Sequence, residues 1–193
     1  IQFSLSRFIE SKGEGMLQPT VSLELVMFKV VAGQLCVYLQ ASQLSAQEFC
    51  LPRVMVDVEH DRNIDSAVRR GISELVDTAP CYIEQVKTIG NATRYPEEWM
   101  IAVVHVALFA ESSSSCQAGW YSCNSLGNQY RLSFDHHAVV NSCVKRLRSK
   151  AQYTSLPLHL AAPEFSLSDA QRVYEMLLSA KLEKKSFLIP NDL

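Results

Sequence analysis

The stretch WMIAVVHVALFA, Trp99 to Ala110, constrains the fold most tightly. Its residues are apolar almost without interruption, branched or small in most positions, and they show neither helical nor alternating periodicity. A strand of this kind lies deep in a sheet, covered on both faces. Its surroundings supply the rest of a sheet. VSLELVMFKVVAGQLCVYLQ (Val21 to Gln40) predicts two strands joined at Ala32 and Gly33. FCLPRVMVDV (Phe49 to Val58) predicts a third, with Pro52 near its start where a missing N–H is tolerated. CYIEQVKTI (Cys81 to Ile89) predicts a further strand, and GWYSCNSLGN a short edge strand.

The covering layers come from segments whose period changes. Ile64, Ala67, Val68, Gly71, Ile72, Leu75 and Val76 recur at three- and four-residue steps, so a helix is expected from Ile64 to Asp77, capped by Asn63 and ended before Pro80. FDHHAVVNSCVKRLRSK predicts a second helix with Ala138, Val139, Cys143, Val144 and Leu147 inward and Asp135 as its cap. SLSDAQRVYEMLLSA predicts a third, capped by Ser168, with Ala170, Val173, Leu177 and Leu178 on one face, and EKKSFL begins another short helix.

With 193 residues and 48% hydrophobic content, the chain can bury one substantial core and a small appendage. The net charge of −2 argues against bulk coating of nucleic acid or membrane. Charge is unevenly placed, however. Asn141 to Leu188 holds eight Lys and Arg against four acids, leaving the remainder acidic, which suits either a local polyanion contact or a solvated helical surface. The six cysteines contain no Cys-x-x-Cys pair, which speaks against structural zinc and for a reducing, cytoplasmic setting; Cys116 and Cys123 have the surroundings of exposed, reactive thiols. No apolar run is long enough to span a membrane without polar interruption.

LPRVMVDVEHDRNIDSAVRRGISEL (Leu51 to Leu75) passes from strand through a polar loop into a helix, and it resembles the Nudix motif. That motif ends in Arg-Glu-hydrophobic-x-Glu-Glu, whose acids share one helical face and hold a divalent cation against a pyrophosphate. The corresponding residues here are Arg70, Gly71, Ile72, Ser73, Glu74 and Leu75, so of those three acids Glu74 alone remains. Arg62 stands at the upstream glutamate position, and Arg53 and Val54 at the paired glycines. One carboxylate cannot assemble the usual site, and the reading is of no catalytic residue, no metal and no cofactor. Asp57, Glu59 and Asp61 are the nearest acids for an improvised site, or simply loop acids.

PCYIEQVKTIGNATRYPEEW, AVVHVAL, FDHHAVVNSCVKRLRSKAQY and FSLSDAQRVYEMLLSAKLEKKSF, in that order, resemble the Nudix-related transcriptional regulators of NAD metabolism over about Val21 to Phe187. The resemblance implies a Nudix α/β/α sandwich with a mixed sheet, followed by a small helical unit equivalent to part of a winged helix-turn-helix. The divisions expected are an N-terminal arm at 1–16, the Nudix-like domain at 17–150 and a winged-helix-like unit at 151–193. It further implies a homodimer that senses ADP-ribose or a related nucleotide and contacts DNA through its C-terminal helices.

Carried over by position, Tyr82, Glu84 and Gln85 match the family's Tyr-hydrophobic-Glu-Gln segment, and Arg94 matches a loop arginine whose following aspartate is here Tyr95. Arg94 suits a phosphate as a bidentate donor, or is a plain surface arginine. Tyr82 and Trp99 suit stacking on adenine, or core packing. His136 and His137 stand at a junction of strand and helix with no nucleophile to serve, and His105 is expected in the core. Lys184, Lys185 and Ser186 are the expected DNA contacts, in a recognition helix cut short by Pro190 with no wing after it. Two alternatives stay open: a metal-dependent hydrolase of ADP-ribose-like nucleoside diphosphates, and a noncatalytic dimerisation or protein-interaction module.

Overall fold

The computed structural model describes residues 19–43, 45–91, 94, 99–111 and 118–183. Two long strands form its centre, β1 (Thr20–Val31) and β7 (Met100–Phe109), paired in parallel from Thr20↔Met100 to Lys29↔Phe109. β6 (Tyr82–Asn91) runs antiparallel on the far side of β7. The other edge of β1 is shared by two partners. β2 (Gln34–Tyr38) takes its C-terminal half, and β5 (Arg53–Met55) its N-terminal half at Ser22 to Glu24. β8 (Trp120–Ser122) closes the sheet beside β2 as the expected short edge strand.

β1 enters β2 through Ala32 and Gly33, both at positive φ (49° and 75°), the backbone that a tight two-residue hairpin demands. The segment expected as one strand at 49–58 is divided. β4 (Glu48–Cys50) belongs to a second, small sheet with β3 (Gln40–Ala41) and β9 (Arg131–Leu132), while β5 belongs to the large one. The break falls at Leu51 and Pro52, where proline offers no N–H but its carbonyl accepts from Leu25 N–H at 3.0 Å.

Alternation along β1 divides the core. Leu23, Leu25 and Met27 face α1 (Ile64–Ser73) with Val103, Ala107, Phe109, Ala67, Val68 and Ile72. Val26, Phe28 and Val30 face the other side, beneath α2 (His136–Lys150) and α3 (Leu167–Leu178). This is the expected α/β/α sandwich. His105 lies in the core at 2% exposure, and burial lowers its pKa. The segment after Lys150 packs into the same core as the sheet: Leu160, Val173, Tyr174 and Leu177 join Val26 and Phe28, and the Tyr174 hydroxyl donates to the Thr154 carbonyl at 2.9 Å.

Local expectations needed several corrections. α1 starts under its Asn63 cap, with Ser66 completing a capping box, but ends at Ser73. In α2, Ala138 is exposed and Val140 is buried, and Asp135 makes no side-chain cap bond because its carboxylate is used elsewhere. α3 is capped by Ser166 in a capping box with Asp169, not by Ser168, and Leu178 is only half-buried. Cys123 is not a reactive thiol: burial pushes it up to about 12. Cys116, the Ser-rich loop and the helix expected around Lys184 lie outside the described residues.

Candidate functional site

Two regions flank the sheet where chemistry was expected, and they differ sharply. The first is the loop and helix carrying the degenerate motif. Arg70 on α1 reaches back over the loop, donating through Nε to Asp61 Oδ1 at 3.0 Å, through Nη2 to Asp61 Oδ2 at 2.7 Å and to the Met55 carbonyl at 2.9 Å. The hydrogen bond from Arg70 holds the Asp61 carboxyl below its ordinary range. Arg70 Nη1 also engages Glu74 Oε1 at 3.1 Å. The last acid of the hexad is therefore an ion-pair partner one helical turn from Arg70. Asp57 pairs with His60 at 2.9 Å, which lowers the aspartate's pKa.

Position 71 is closed more firmly. A Cβ on Gly71 would lie 2.2 Å from Val54 Cγ2 and 3.0 Å from Val54 Cγ1. Val54 stands where the motif has a glycine, and Gly71 where it has a metal-binding glutamate, so bulk and space are exchanged between the two. The residues present do not fit a divalent cation. Among the described residues no group of three or more His, Cys, Asp or Glu could hold a metal ion.

The second region lies on the opposite face, where α2 begins above the end of the sheet. Glu24 breaks the apolar pattern of β1 and points to this side, fully buried. Arg94 meets it at 2.7 Å and meets Asp135 at 2.8 Å. His136, the first residue of α2, accepts the Leu51 N–H on Nδ1 at 3.1 Å, which leaves its ring proton on Nε2, 3.6 Å from Glu24 Oε1. β1, the 91–99 connection, the sheet switch at Leu51 and the start of α2 are thereby joined through one buried charged cluster. Arg94 thus departs from the expected outward phosphate donor: its side chain is 3% exposed and engages carboxylates.

Two open clefts border this cluster. One, of about 320 Å³, is lined by Gln40, Gln43, Cys50, Arg53, Phe134 and His136 among others. Its neighbour, of about 330 Å³, is lined by Ile89, Asn91, Arg94, Phe134 and Asp135. Phe134 is common to both.

The other expected residues do not converge there as a group. Tyr82 opens β6 and stacks on His159 with ring centres 5.2 Å apart, its hydroxyl donating to Glu84 at 3.1 Å. Glu84 accepts from Lys150 at 2.7 Å and from Arg146, both on α2. Burial pushes the Glu84 carboxyl up, but those hydrogen bonds outweigh it and hold it below its ordinary value. Gln85 is exposed on β6, and a bulge between it and Lys87 keeps Lys87 on the α2 side, bonded to Ser142 at 2.9 Å. Trp99 stands at the opposite end of β6 from Tyr82, 46% exposed and close over Gly90. Lys184, Lys185 and Ser186 lie outside the described residues. The cleft residues Arg53, Phe134, Asp135 and His136, and the buried Glu24 beneath them, were not singled out for binding. The available signal was a glutamate inside an apolar strand, together with the FDHH junction.

No protein-family model matches the chain. It is similar to the ADPR-responsive transcriptional repressor NtrR of Acinetobacter baylyi, 33% identical over 177 residues that cover 88% of this chain and 70% of that protein. Among solved structures it is similar to Shewanella oneidensis NrtR complexed with a 27mer DNA, with a TM-score of 0.77 at 29% identity, covering 86% of this chain and 79% of that one. The Nudix domain of Shewanella oneidensis NrtR complexed with ADP ribose matches with a TM-score of 0.61 at 25% identity, over 75% of this chain and 99% of that domain.

Proposed function

The chain belongs to the NtrR and NrtR family of Nudix-domain transcriptional repressors, and from that membership we propose that it is a noncatalytic sensor of ADP-ribose or a closely related nucleotide. The observation that carries the noncatalytic part is the exchange of bulk between Val54 and Gly71, reinforced by Arg70 occupying Asp61 and Glu74. The packing half of the motif is intact while its coordination half is filled by protein atoms. A hydrolase of ADP-ribose-like substrates would need several carboxylate ligands on this helix, and there is room for none at position 71.

The nucleotide is assigned to the paired clefts at the start of α2. They offer the guanidinium of Arg53, the amides of Gln40, Gln43 and Asn91, and an aromatic ring, a mixture suited to a ligand with an anionic centre and a flat base. Arg94 holds the floor of the site through Glu24 and Asp135. Tyr82 and Glu84 fasten β6 to α2, and Gln85 and Trp99 keep side chains exposed for the ligand or for a second copy in a homodimer. We assign DNA binding to the residues from Lys184 onward and infer a cytoplasmic location, a reading supported by the repressor relatives; among the described residues no helix is long and apolar enough to cross a membrane.

Calorimetric titration with ADP-ribose tests the sensor reading, and heat-silent mixing would refute it. Release of AMP from ADP-ribose with Mg²⁺ or Mn²⁺ would restore the hydrolase alternative. A gel shift on a palindromic duplex, weakening steeply with salt, is expected for the DNA contact.

A further inference from the structure

Phe134 has a backbone at φ 56°, a conformation that bulky side chains avoid. Both flanks impose it. On one side Ser133 N–H donates to the Phe49 carbonyl at 2.9 Å, and the Ser133 hydroxyl bonds to Ser42 and Glu48. On the other, Asp135 is held by Arg94 and His136 by Leu51. Strained residues persist where their surroundings over-determine them and cluster at ligand sites; this ring is tilted against His136 with centres 5.5 Å apart, is 41% exposed and forms part of the wall of both clefts.

Resting on the nucleotide-sensing reading of the same site, we propose that Phe134 is the stacking platform for the base of an adenine nucleotide and divides the ligand between the two clefts. The cleft of Ile89, Asn91 and Asp135 takes the base. Asp135, 40% exposed at its side chain, accepts from the exocyclic amine; Arg94, which also lines this cleft, is engaged by Asp135 and the buried Glu24, so two carboxylates stand against one guanidinium and a phosphate is disfavoured on that side. The cleft of Arg53, Gln40 and Gln43 takes the anionic diphosphate and distal sugar, where a guanidinium faces the charge. A base lying on an aromatic face needs no extensive hydrogen-bonded pocket, which accords with the openness of both clefts.

The test is calorimetric titration of the full chain and of its Phe134→Gly and Phe134→Trp variants with ADP-ribose and with ribose 5-phosphate. Glycine accepts the positive φ, and that relief offsets part of the lost ring contact with His136, so Phe134→Gly should still fold cooperatively with an unfolding midpoint near that of the native chain. It should weaken ADP-ribose by about 5- to 150-fold, the range for one stacked base, and leave ribose 5-phosphate unchanged. Phe134→Trp should retain ADP-ribose affinity. If the native chain binds ADP-ribose and Phe134→Gly binds it equally, or loses both ligands alike, the stacking assignment is overturned while the sensor reading stands. A native chain that binds no ADP-ribose overturns the sensor reading itself.

Discussion

Gly71→Ala adds one methyl group inside a helix, and its effect should depend on the side chain at position 54. In an open helix interior the substitution stabilises by about 1 kcal/mol, because glycine forfeits more backbone entropy than alanine. Here the new Cβ would stand 2.2 Å from Val54 Cγ2. Ordinary carbon contacts lie at about 3.5 to 4.0 Å, so α1 and β5 must separate by about 1 Å or Val54 must leave its rotamer. Overpacking of that kind costs about 1–3 kcal/mol. The net expectation for Gly71→Ala is a loss of about 1 kcal/mol, against a gain of similar size without the contact.

Val54→Ala should itself cost about 2 kcal/mol through two buried methyl groups and the space they leave. In that background the Cβ of residue 54 still lies 3.1 Å from the added methyl group, a contact relieved by a shift of a few tenths of an ångström, so Gly71→Ala should be about neutral and the coupling between the two sites about 1 kcal/mol. Urea unfolding of the four proteins measures this directly. Additive single effects, or a stabilising Gly71→Ala with Val54 in place, would refute the steric account of why this helix holds no metal ligand at position 71.

Removing Arg94 should be among the most damaging single changes. Arg94→Met leaves Glu24 buried beside a lost partner, at a cost of about 3–5 kcal/mol in chemical denaturation; the double change Glu24→Leu with Arg94→Met should recover part of that loss. On the acid side, the depressed pKa of Asp61 contributes stability that is present above the ordinary aspartate value and lost as pH falls through the lower, folded-state value. Asp61→Asn should therefore flatten the acid limb of the thermal midpoint against pH. His105 works at higher pH. Burial lowers its pKa, so protonation is resisted in the folded chain and stability falls as pH drops below about 6.5; His105→Leu should reduce that slope on the acid side of about pH 6.5. In a Cys116→Ser background a thiol reagent should label exposed Cys81 first, with Cys123 protected until the chain unfolds.

Much of the architecture was legible because its signals are local. The unbroken apolar stretch placed β7 in the centre of the sheet, the three- and four-residue steps placed α1 beneath its Asn63 cap, and Ala32 with Gly33 placed the hairpin. The errors came where a local rule met a distant partner. Asp135 has the position of a helix cap, but a buried arginine from 41 residues away claims its carboxylate. Phe49 to Val58 has the composition of one strand, yet Pro52 and the two competing sheets divide it. Tyr82 and Trp99 both suit stacking as residue types, and the ten-residue length of β6 keeps them at opposite ends.

From the sequence alone came most of the order of strands and helices, since residue type and periodicity settle these without knowledge of neighbours, and the family resemblance added the sandwich. Only the tertiary structure decided where a ligand can sit. Glu24 and Arg94 are separated by 70 residues, and the β1–β7 pairing with the start of α2 is what brings them to 2.7 Å. The closure of position 71 was equally beyond reach: a missing glutamate is visible in the sequence, but the valine that fills its place becomes apparent only when β5 is laid against α1.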